Sequence, residues 1–594
     1  MDYSGHRTFL DVKQSLGAKR WVERLSPRQA NTALEMAQKH DVPDILARVL
    51  AGRGVQADSV ALFLAPTVRD LMPDPRSLTG MEAAADRLVA AIKSGEAVAI
   101  FGDYDVDGAA SSALLARFLR HFGLTVKVHI PDRIFEGYGP NPTAMKALAD
   151  EASLIVTVDC GTNSAEAFAA IAGSGTDIVV IDHHQVGGPL PSVAAIVNPN
   201  REDDVSGLGY LCAAGVVFMT LVETVRQMKA SGETNLPDLL KLLDLVALAT
   251  VCDVVPLVGL NRALVQKGLA VARHQNNPGL VALAAAARIG EPLAPYHFGY
   301  ILGPRINAGG RIGDASLGAR LLATDSRDEA DRLAAQLDDL NRQRQGAEQV
   351  MVDQAKASVA AEMDTANAPS VIVTASDDWH PGIVGLIAAR LKEAFNRPAV
   401  AISFDGAGRG TGSARSVVGF DLGKLVRSAV EEGLLIKGGG HAMAAGLTVE
   451  RDKLAGLRSY FEQQATEAVT ALVADTCLTV DGALASGGVT SELINQLERA
   501  GPYGSGHDQP VFAFPNHTVR YAQVVGNGHV KLSIEAPGMR AVDAIAFRAA
   551  DTPIGQRCLS SDGSSLHFAG SVSINRFNGR EIPQVRVMDA AEPS

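Results

Sequence analysis

The chain has 594 residues, of which 47% are hydrophobic, 20% charged and 5% aromatic, and its net charge is −12. At roughly 150 residues per domain, that length suggests about three or four domains. The apolar share excludes a disordered chain. The longest apolar stretch, Leu239–Val251, is broken by Lys241 and Asp244 and falls short of the about 20 residues that a membrane span needs.

The N-terminus lacks the apolar core of a secretion signal. Five cysteines (Cys160, Cys212, Cys252, Cys477, Cys558) are scattered singly, with no C-x-x-C pair. These features predict a cytoplasmic protein without disulfides or a structural zinc site; a monomer with no membrane contact is expected. An acidic chain has no broad basic face, so any nucleic-acid contact has to be a local basic track.

Residues 1–79 mix short helical patterns with loops, and no chemistry is legible in this N-terminal extension. From 80 to 325, strands and helices alternate. EAVAIF (96–101), TVKVHI (125–130), SLIVTV (153–158), DIVVI (177–181) and AAIVN (194–198) are short apolar runs, whereas AASSALLARFLRHFG (109–123) and SAEAFAAIAGSG (164–175) have helical periodicity. Short apolar runs between helices are buried parallel strands, so the segment reads as a doubly wound α/β domain. Residues 326–365 hold one glycine and no proline. They predict a helix of about 38 residues and roughly 55 Å, a connector between two lobes. A second α/β unit follows over 366–469, with strands at SVIVTA (370–375) and AVAISF (399–404) around the helix GIVGLIAARLKEAF (382–395). Residues 470–594 read as short alternating strands with glycine, proline and asparagine turns, an all-β barrel.

Carboxylates sit where the first strands end. EAVAIF runs into Gly102-Asp103-Tyr104-Asp105-Val106-Asp107-Gly108, SLIVTV into Asp159-Cys160-Gly161, and DIVVI into Asp182-His183-His184. In an open parallel sheet, ligands bind in the crevice beyond the carboxyl ends of the strands, so three strands deliver acidic or imidazole groups to one rim. Asp253, after the apolar helix DLLKLLDLVALAT, is a fourth candidate. Carboxylates gathered in a crevice repel one another unless cations bind there. Oxygen ligands with one or two imidazoles suit Mn²⁺ or Mg²⁺ better than zinc. Two such ions can activate water and clamp the attacking and leaving oxygens of a phosphoryl centre. Taken singly, D-x-D-x-D-G also fits a loop of turn-forming aspartates or a calcium loop. The calcium reading lacks its glutamate, since residues 112–115 are Ser, Ala and Leu, and the run follows a strand.

The three motifs resemble those of the DHH phosphoesterase superfamily. FGDYDVDG (101–108), PDRIFEGYG (131–139), VDCG (158–161), IDHH (181–184), CDVVPL (252–257) and GPRINAGGR (303–311) are together similar to the RecJ family of bacterial single-stranded-DNA-specific 5′→3′ exonucleases. The similarity spans roughly residues 80 to 590. It implies that Asp105, Asp107, Asp159, His183 and Asp253 ligate two divalent ions, Mn²⁺ or Mg²⁺, with Asp103 close by. Asp182 would orient the cluster, and His184 would face the scissile phosphate. Work on single-stranded DNA in repair and recombination, beside single-strand-binding protein and a RecQ-type helicase, is implied in the same way.

Arg133 in PDRIFEGYG, and Arg305 and Arg311 in GPRINAGGR, lie among glycines that let backbone approach an anion, and a guanidinium can pair two phosphate oxygens. Each also fits an ion pair on a loop. The second α/β unit adds Trp379-His380-Pro381-Gly382, Ser413-Ala414-Arg415 and Lys437-Gly438-Gly439-Gly440-His441. A glycine run opening onto a helix exposes N–H groups to an anion, which is the reading for Gly439 and Gly440. By resemblance this unit is the DHH-associated substrate-binding domain, where Ser413 and Arg415 grip the 5′-terminal phosphate near His380 and His441. The family usually has glycine where this chain has Ala414 and alanine where it has Gly309. Its relatives' final domain is an oligonucleotide-binding (OB) barrel, which GPYGSGHDQPVFAF (501–514) resembles. Singly, Tyr503, Phe512 and Phe514 fit a barrel core. With Arg520, Lys531, Arg576 and Arg580 they would form a single-strand track.

Two other readings stand beside the exonuclease. A short-oligonucleotide or cyclic-dinucleotide phosphodiesterase of the superfamily has no use for the barrel. A non-catalytic single-strand-binding scaffold would have lost several of the carboxylates that are all present here.

Overall fold

The computed structural model describes residues 6–593 apart from 134, 364–367, 475, 561, 562, 564, 578 and 579. The first five residues of the expected extension, positions 364 and 365 of the expected long helix and a few positions of the expected barrel lie outside the described residues. The chain forms two compact units: Val68–Val473, and Met1–Thr67 with Ala474–Ser594.

In Val68–Val473, five parallel strands form the first sheet in the spatial order Val126–His129, Val98–Gly102, Leu154–Val158, Asp177–Ile181, Ala195–Val197. Numbered along the chain this is 2-1-3-4-5, a doubly wound sheet whose order reverses between its first and third strands. Ile100, Val156, Val158, Val179 and Ile181 point into one large core. Their neighbours Phe101, Ile155, Ile178 and Val180 point into a second. Both faces are covered, which is why the strands read as unbroken apolar runs. The helix expected over 164–175 shrinks to Ala165–Ala169, followed by Gly173 and Gly175 at positive φ. Register pairs Gly102 with Val158 and Val158 with Ile181. Three strands therefore end flush, and the loops at 103, 159 and 182 start on one level.

The helix Arg327–Met363 puts Ala330, Leu333, Ala334 and Leu337 into the first core. Its later residues Val352, Ala355 and Val359 pack with Trp379, Ile383 and Ile387. Beyond it lies a mixed sheet in the order Lys437–His441, Ala444–Glu450, Arg409–Arg415, Ala399–Phe404, Ile372–Ser376. The glycine run departs from expectation. Lys437–His441 is the edge strand of an antiparallel hairpin with Ala444–Glu450, not a loop opening onto a helix. Glycine is needed there for packing. A Cβ on Gly440 (φ +148°) would lie 2.3 Å from the Ala444 carbonyl oxygen, and one on Gly438 would lie 2.7 Å from Val426.

In the other unit, Phe512–Val525, His529–Glu535, Val542–Ala546, Arg580–Ala591 and Ser565–Phe577 pair in that order, and the last returns to Phe512–Val525. The result is a closed five-stranded OB-type barrel. Two register shifts, at Phe514/His517 and Val519/Tyr521, bend the long first strand so that it serves both neighbours. Phe512 and Phe514 are two residues apart, share the inner face and are buried. Both are core, not a stacking track. Arg520, Lys531 and Arg576 are paired with Glu535, Asp543 and Glu581, so three of the four cations expected along that track are neutralised. Tyr503 stacks on His507 with its hydroxyl on the Leu497 carbonyl.

The N-terminal residues complete this unit. Arg20–Glu23 runs parallel to Cys477–Val480. Asp589, buried, accepts from Ser15 Oγ (2.6 Å), Trp21 Nε1 (2.9 Å) and Gly17 N (3.1 Å). Buried Asp481 likewise holds Arg24 and Arg53. Asp589 also accepts from Ala590 N (2.9 Å), so Asp589→Ala removes the acceptor of four donors, and about 3 kcal/mol of stability or more should be lost. Urea unfolding followed by Trp21 fluorescence in a Trp379→Phe background measures it; an unmoved midpoint would refute the tie.

Candidate metal centre

The site starts from how one helix begins. Asp105 is the N-cap of Val106–His121, its carboxylate accepting from Asp107 N (2.9 Å) and Gly108 N (3.2 Å). Gly108 lets the helix begin against the strand end: a Cβ there would sit 2.3 Å from the Asp103 carbonyl oxygen. Asp107, buried, accepts from Ala213 N (2.6 Å) and Ala214 N (2.8 Å), the first N–H groups of Ala213–Ala230. One carboxylate thus caps a second helix and feels its positive end. Asp159 ends its strand at φ +61°, a left-handed conformation that aspartate enters more readily than most residues.

In the D-H-H loop, Asp182 Oδ1 accepts from His183 N (2.8 Å), His184 N (3.2 Å) and His184 Nδ1 (2.8 Å), while Oδ2 accepts from Thr162 N. The Leu211 carbonyl, 3.1 Å away, accepts a hydrogen bond from His183 Nδ1–H, so Nε2 presents a lone pair. That Nε2 lies 3.3 Å from Asp159, 3.7 Å from Asp253 and 3.8 Å from Asp107. Ligand atoms of Asp103, Asp105 and Asp159 form a second group, all within 4.8 Å of one another. Asp253 arrives from the C-terminal end of the Leu243–Cys252 helix.

Burial, then the charge of neighbouring carboxylates, pushes Asp103 and Asp159 well above the usual carboxylate range and Asp253 to about 9. Burial also raises Asp107. Buried oxygens of Asp103, Asp159 and Asp253 accept no hydrogen bond. Desolvated carboxylate oxygens without donors, around an imidazole lone pair, fit a hard divalent cation. Asp182 behaves oppositely: against the effect of burial, His184 and Thr162 hold it low. His184 is desolvated too, yet its bond to Asp182 pushes it up to about 9.

Arg133, Gly382, Ser413, Arg415 and Gly440 line a cavity of about 390 Å³. Arg415 Nη1 donates to Ser413 Oγ (2.9 Å), and Arg311 Nη1 donates to the Gly382 carbonyl (3.2 Å). Burial and the charges of Arg133, Arg344 and Arg415 bring Arg311 down to about 10. Arg344 is paired with Glu348. Among the described residues, Arg133, Arg311 and Arg415 pair with no carboxylate. Crowded guanidiniums without a counterion fit an anion, the converse of the carboxylate cluster.

Arg305 does not join them; it is held by Asp338 (2.9 Å) and the Ile301 carbonyl, as the ion-pair alternative had it. His380 accepts from Gly382 N and shapes the turn that meets the Arg311 carbonyl. His441 lines a second cavity of about 650 Å³ with His184 and Tyr138, and Gly440 lines both cavities. Gly439 has open space at its Cβ position. Ala414 points into the opposite, apolar face of its strand, so its methyl leaves Ser413 and Arg415 unobstructed. At 309 glycine fits because an alanine Cβ would lie 2.7 Å from the Asp314 carbonyl oxygen.

Several site residues escaped the sequence reading. Tyr138 Oη is 3.2 Å from His184 Nε2. Asn198 and Asn200 donate to the carbonyls of His184 and His183. Tyr138 lay within a recognised motif and Asn198 at a strand end, signals that could have found them. The Leu211 carbonyl and the Ala213 and Ala214 N–H groups are main chain and carry none.

Three family models match the chain: the DHH family N-terminal domain over residues 97–250, the DHHA1 domain over 368–467 and the RecJ OB domain over 480–589. The single-stranded-DNA-specific exonuclease RecJ of Salmonella typhimurium is 35% identical over 586 residues, covering 95% of this chain and 98% of the relative. That of Escherichia coli is 35% identical over 562 residues, 92% and 95% of the two chains. The crystal structure of RecJ from Thermus thermophilus in complex with Mn²⁺ is similar with a TM-score of 0.79 at 28% identity, over 96% of this chain and 79% of that one. Its Mg²⁺ complex gives 0.72 at 27% identity, over 96% and 78%.

Ion binding should become more stabilising as pH rises. Carboxyls raised in the ion-free fold keep protons that an unfolded chain releases above about pH 4, so ion-free stability falls as pH climbs toward the folded value. Ion binding needs the same groups ionised. The gain in Tm from Mn²⁺ over EDTA, measured by calorimetry, should be larger at pH 8 than at pH 6. An equal gain at both would refute this electrostatic account.

Proposed function

The chain belongs to the RecJ family, and on that premise we propose that it is a single-stranded-DNA-specific 5′→3′ exonuclease that hydrolyses phosphodiester bonds at a two-divalent-metal centre. One observation carries the reading: buried carboxylates around His183 stand beside a cavity walled by guanidiniums that lack carboxylate partners. A cation cluster site next to an anion site is what cutting at a phosphorylated chain end requires.

Asp105, Asp107, Asp159, His183 and Asp253 would hold the ions, with Asp103 against them. Mn²⁺ or Mg²⁺ bound there supplies a water acidic enough to attack near neutral pH and positive charge for the phosphoryl group. His183 offers Nε2 because Leu211 occupies its other nitrogen. Asp182 positions both histidines through their main-chain N–H groups and keeps His184 protonated. A protonated His184 on the cleft wall would hold the scissile phosphate where negative charge builds up. Arg133, Arg311, Arg415 and Ser413 would take the terminal phosphate, with the Gly439–Gly440 backbone and His441 along the wall between the cavities. A cavity that accepts one terminal phosphate selects ends over internal sites.

In this reading, residues 80–325 are catalytic, 326–365 connect, 366–469 bind substrate and 470–594 hold the single strand. Roles in repair and recombination, and single-strand-binding protein and a RecQ-type helicase as partners, follow from the family alone. A cytoplasmic place fits five free cysteines, and no described helix is long and apolar enough to cross a membrane.

An oligonucleotide labelled at its 3′ end should give progressively shorter labelled fragments with Mn²⁺ or Mg²⁺. EDTA, Asp159→Asn or a duplex substrate should abolish them. Binding without cleavage would leave the scaffold reading, and cleavage confined to di- and trinucleotides the short-oligonucleotide phosphodiesterase. Arg415→Ala should reduce the preference for 5′-phosphate over 5′-hydroxyl ends about tenfold, the size of one charge-assisted contact; an unchanged preference would remove Arg415 from the phosphate site.

A further inference from the structure

Beyond Gly440, the cavity of about 650 Å³ is lined by His184, His441, Asn163, Asp421 and Arg427. Arg427 lies on the Leu422–Glu431 helix and is exposed. Two other exposed arginines of this half of the unit are committed to acids, Arg390 to Glu393 and Arg451 to Asp377; Arg409 and Arg458 are exposed too but do not line this cavity. Arg427 is not so committed. Among the described residues its guanidinium bonds a main-chain group, the Gly440 carbonyl at 2.8 Å, and no carboxylate.

The acids facing the cavity are already engaged. Asp182 is taken by His184, and Asp421 caps its helix by accepting from Lys424 N at 2.9 Å. Asp421 keeps its charge, but the cations of this wall are felt at His441: burial first, then His184, His183 and Arg427, pull it below its ordinary value. The bond to Gly440 also fixes where the guanidinium sits, because that residue separates this cavity from the one holding Arg133 and Arg415. A planar fork anchored by one nitrogen keeps the others for a phosphate.

We propose that Arg427 binds the phosphate immediately 3′ of the scissile one, making this cavity the seat of the substrate's second nucleotide. The proposal rests on the exonuclease reading. With the terminal phosphate among Arg133, Arg311 and Arg415 and the scissile phosphate before His184, the strand has to run on from His184. This cavity opens there and carries the next cation without an acidic partner.

Neutralising single phosphates tests it on the full chain. In the wild type, a methylphosphonate at the position 3′ of the scissile phosphate should raise KM about five- to tenfold, the loss of one charge-assisted contact. Arg427→Ala should raise KM for the all-phosphate strand by a similar factor, leave kcat nearly unchanged, and show no further effect of that methylphosphonate. Its binding should also lose about 0.7 from the salt slope, one contact to a single strand. Arg427→Lys should recover part of the KM. Multiplying effects of the variant and the methylphosphonate, or a fall in kcat with KM unmoved, would overturn the subsite and leave Arg427 a support for the Gly440 strand. A wild type that cuts no single strand at all would overturn the exonuclease reading itself.

Discussion

Mutual repulsion among buried carboxylates is the constraint on which the rest of the unit turns. Asp103, Asp105, Asp107, Asp159 and Asp253 meet around His183, mostly out of water. Two like charges 4 Å apart cost about 4 kcal/mol at an effective dielectric of 20. Several such pairs would rival the whole net stability of a domain, about 5–15 kcal/mol. The fold relieves part of this load. Helix N-terminal N–H groups offset part of the charge on Asp105 and Asp107, and His184 pairs with Asp182. What remains falls on the unsatisfied oxygens of Asp103, Asp159 and Asp253, and only protons or cations can lift it.

The guanidinium cavity mirrors that arrangement. Arg133, Arg311 and Arg415 crowd one another without acids, and burial and the neighbouring guanidiniums hold both Arg311 and Arg415 down. Arginines whose work is structural look different: Arg305 lies on Asp338, and Arg24 and Arg53 on Asp481. Sites of opposite sign, each short of counter-charge, meet at Tyr104, the residue between Asp103 and Asp105, whose ring lies under Arg133. A phosphodiester strand with a terminal phosphate carries charges to satisfy the guanidiniums and oxygens to complete an ion's coordination.

Much of the candidate site was legible because its signal is local. An Asp that directly follows the last residue of a parallel strand stands at the sheet's rim whatever the remaining chain does. Asp103, Asp159 and Asp182 all obey this, and the flush register of their strands brings them level. Readings that needed the direction of a side chain fared worse. The glycine run became an edge strand because Val426 and Ala444 press on it. Phe512 and Phe514 turned inward because barrel closure decides which face of a strand is inside. Arg520, Lys531 and Arg576 met acids across or along the barrel that no spacing rule had placed there.

By itself, then, the sequence determined the alternation of strand and helix, the residues at each strand end and hence the chemistry of the rim, since these depend on patterns within about ten residues. Tertiary structure alone decided which cations are left without acids, which main-chain groups orient His183 and cap Asp107, and that residues 20–23 pair with 477–480. Each of these is a contact between segments far apart in the chain. Its partner is fixed by packing and by the satisfaction of buried polar groups, and composition and periodicity carry no record of either.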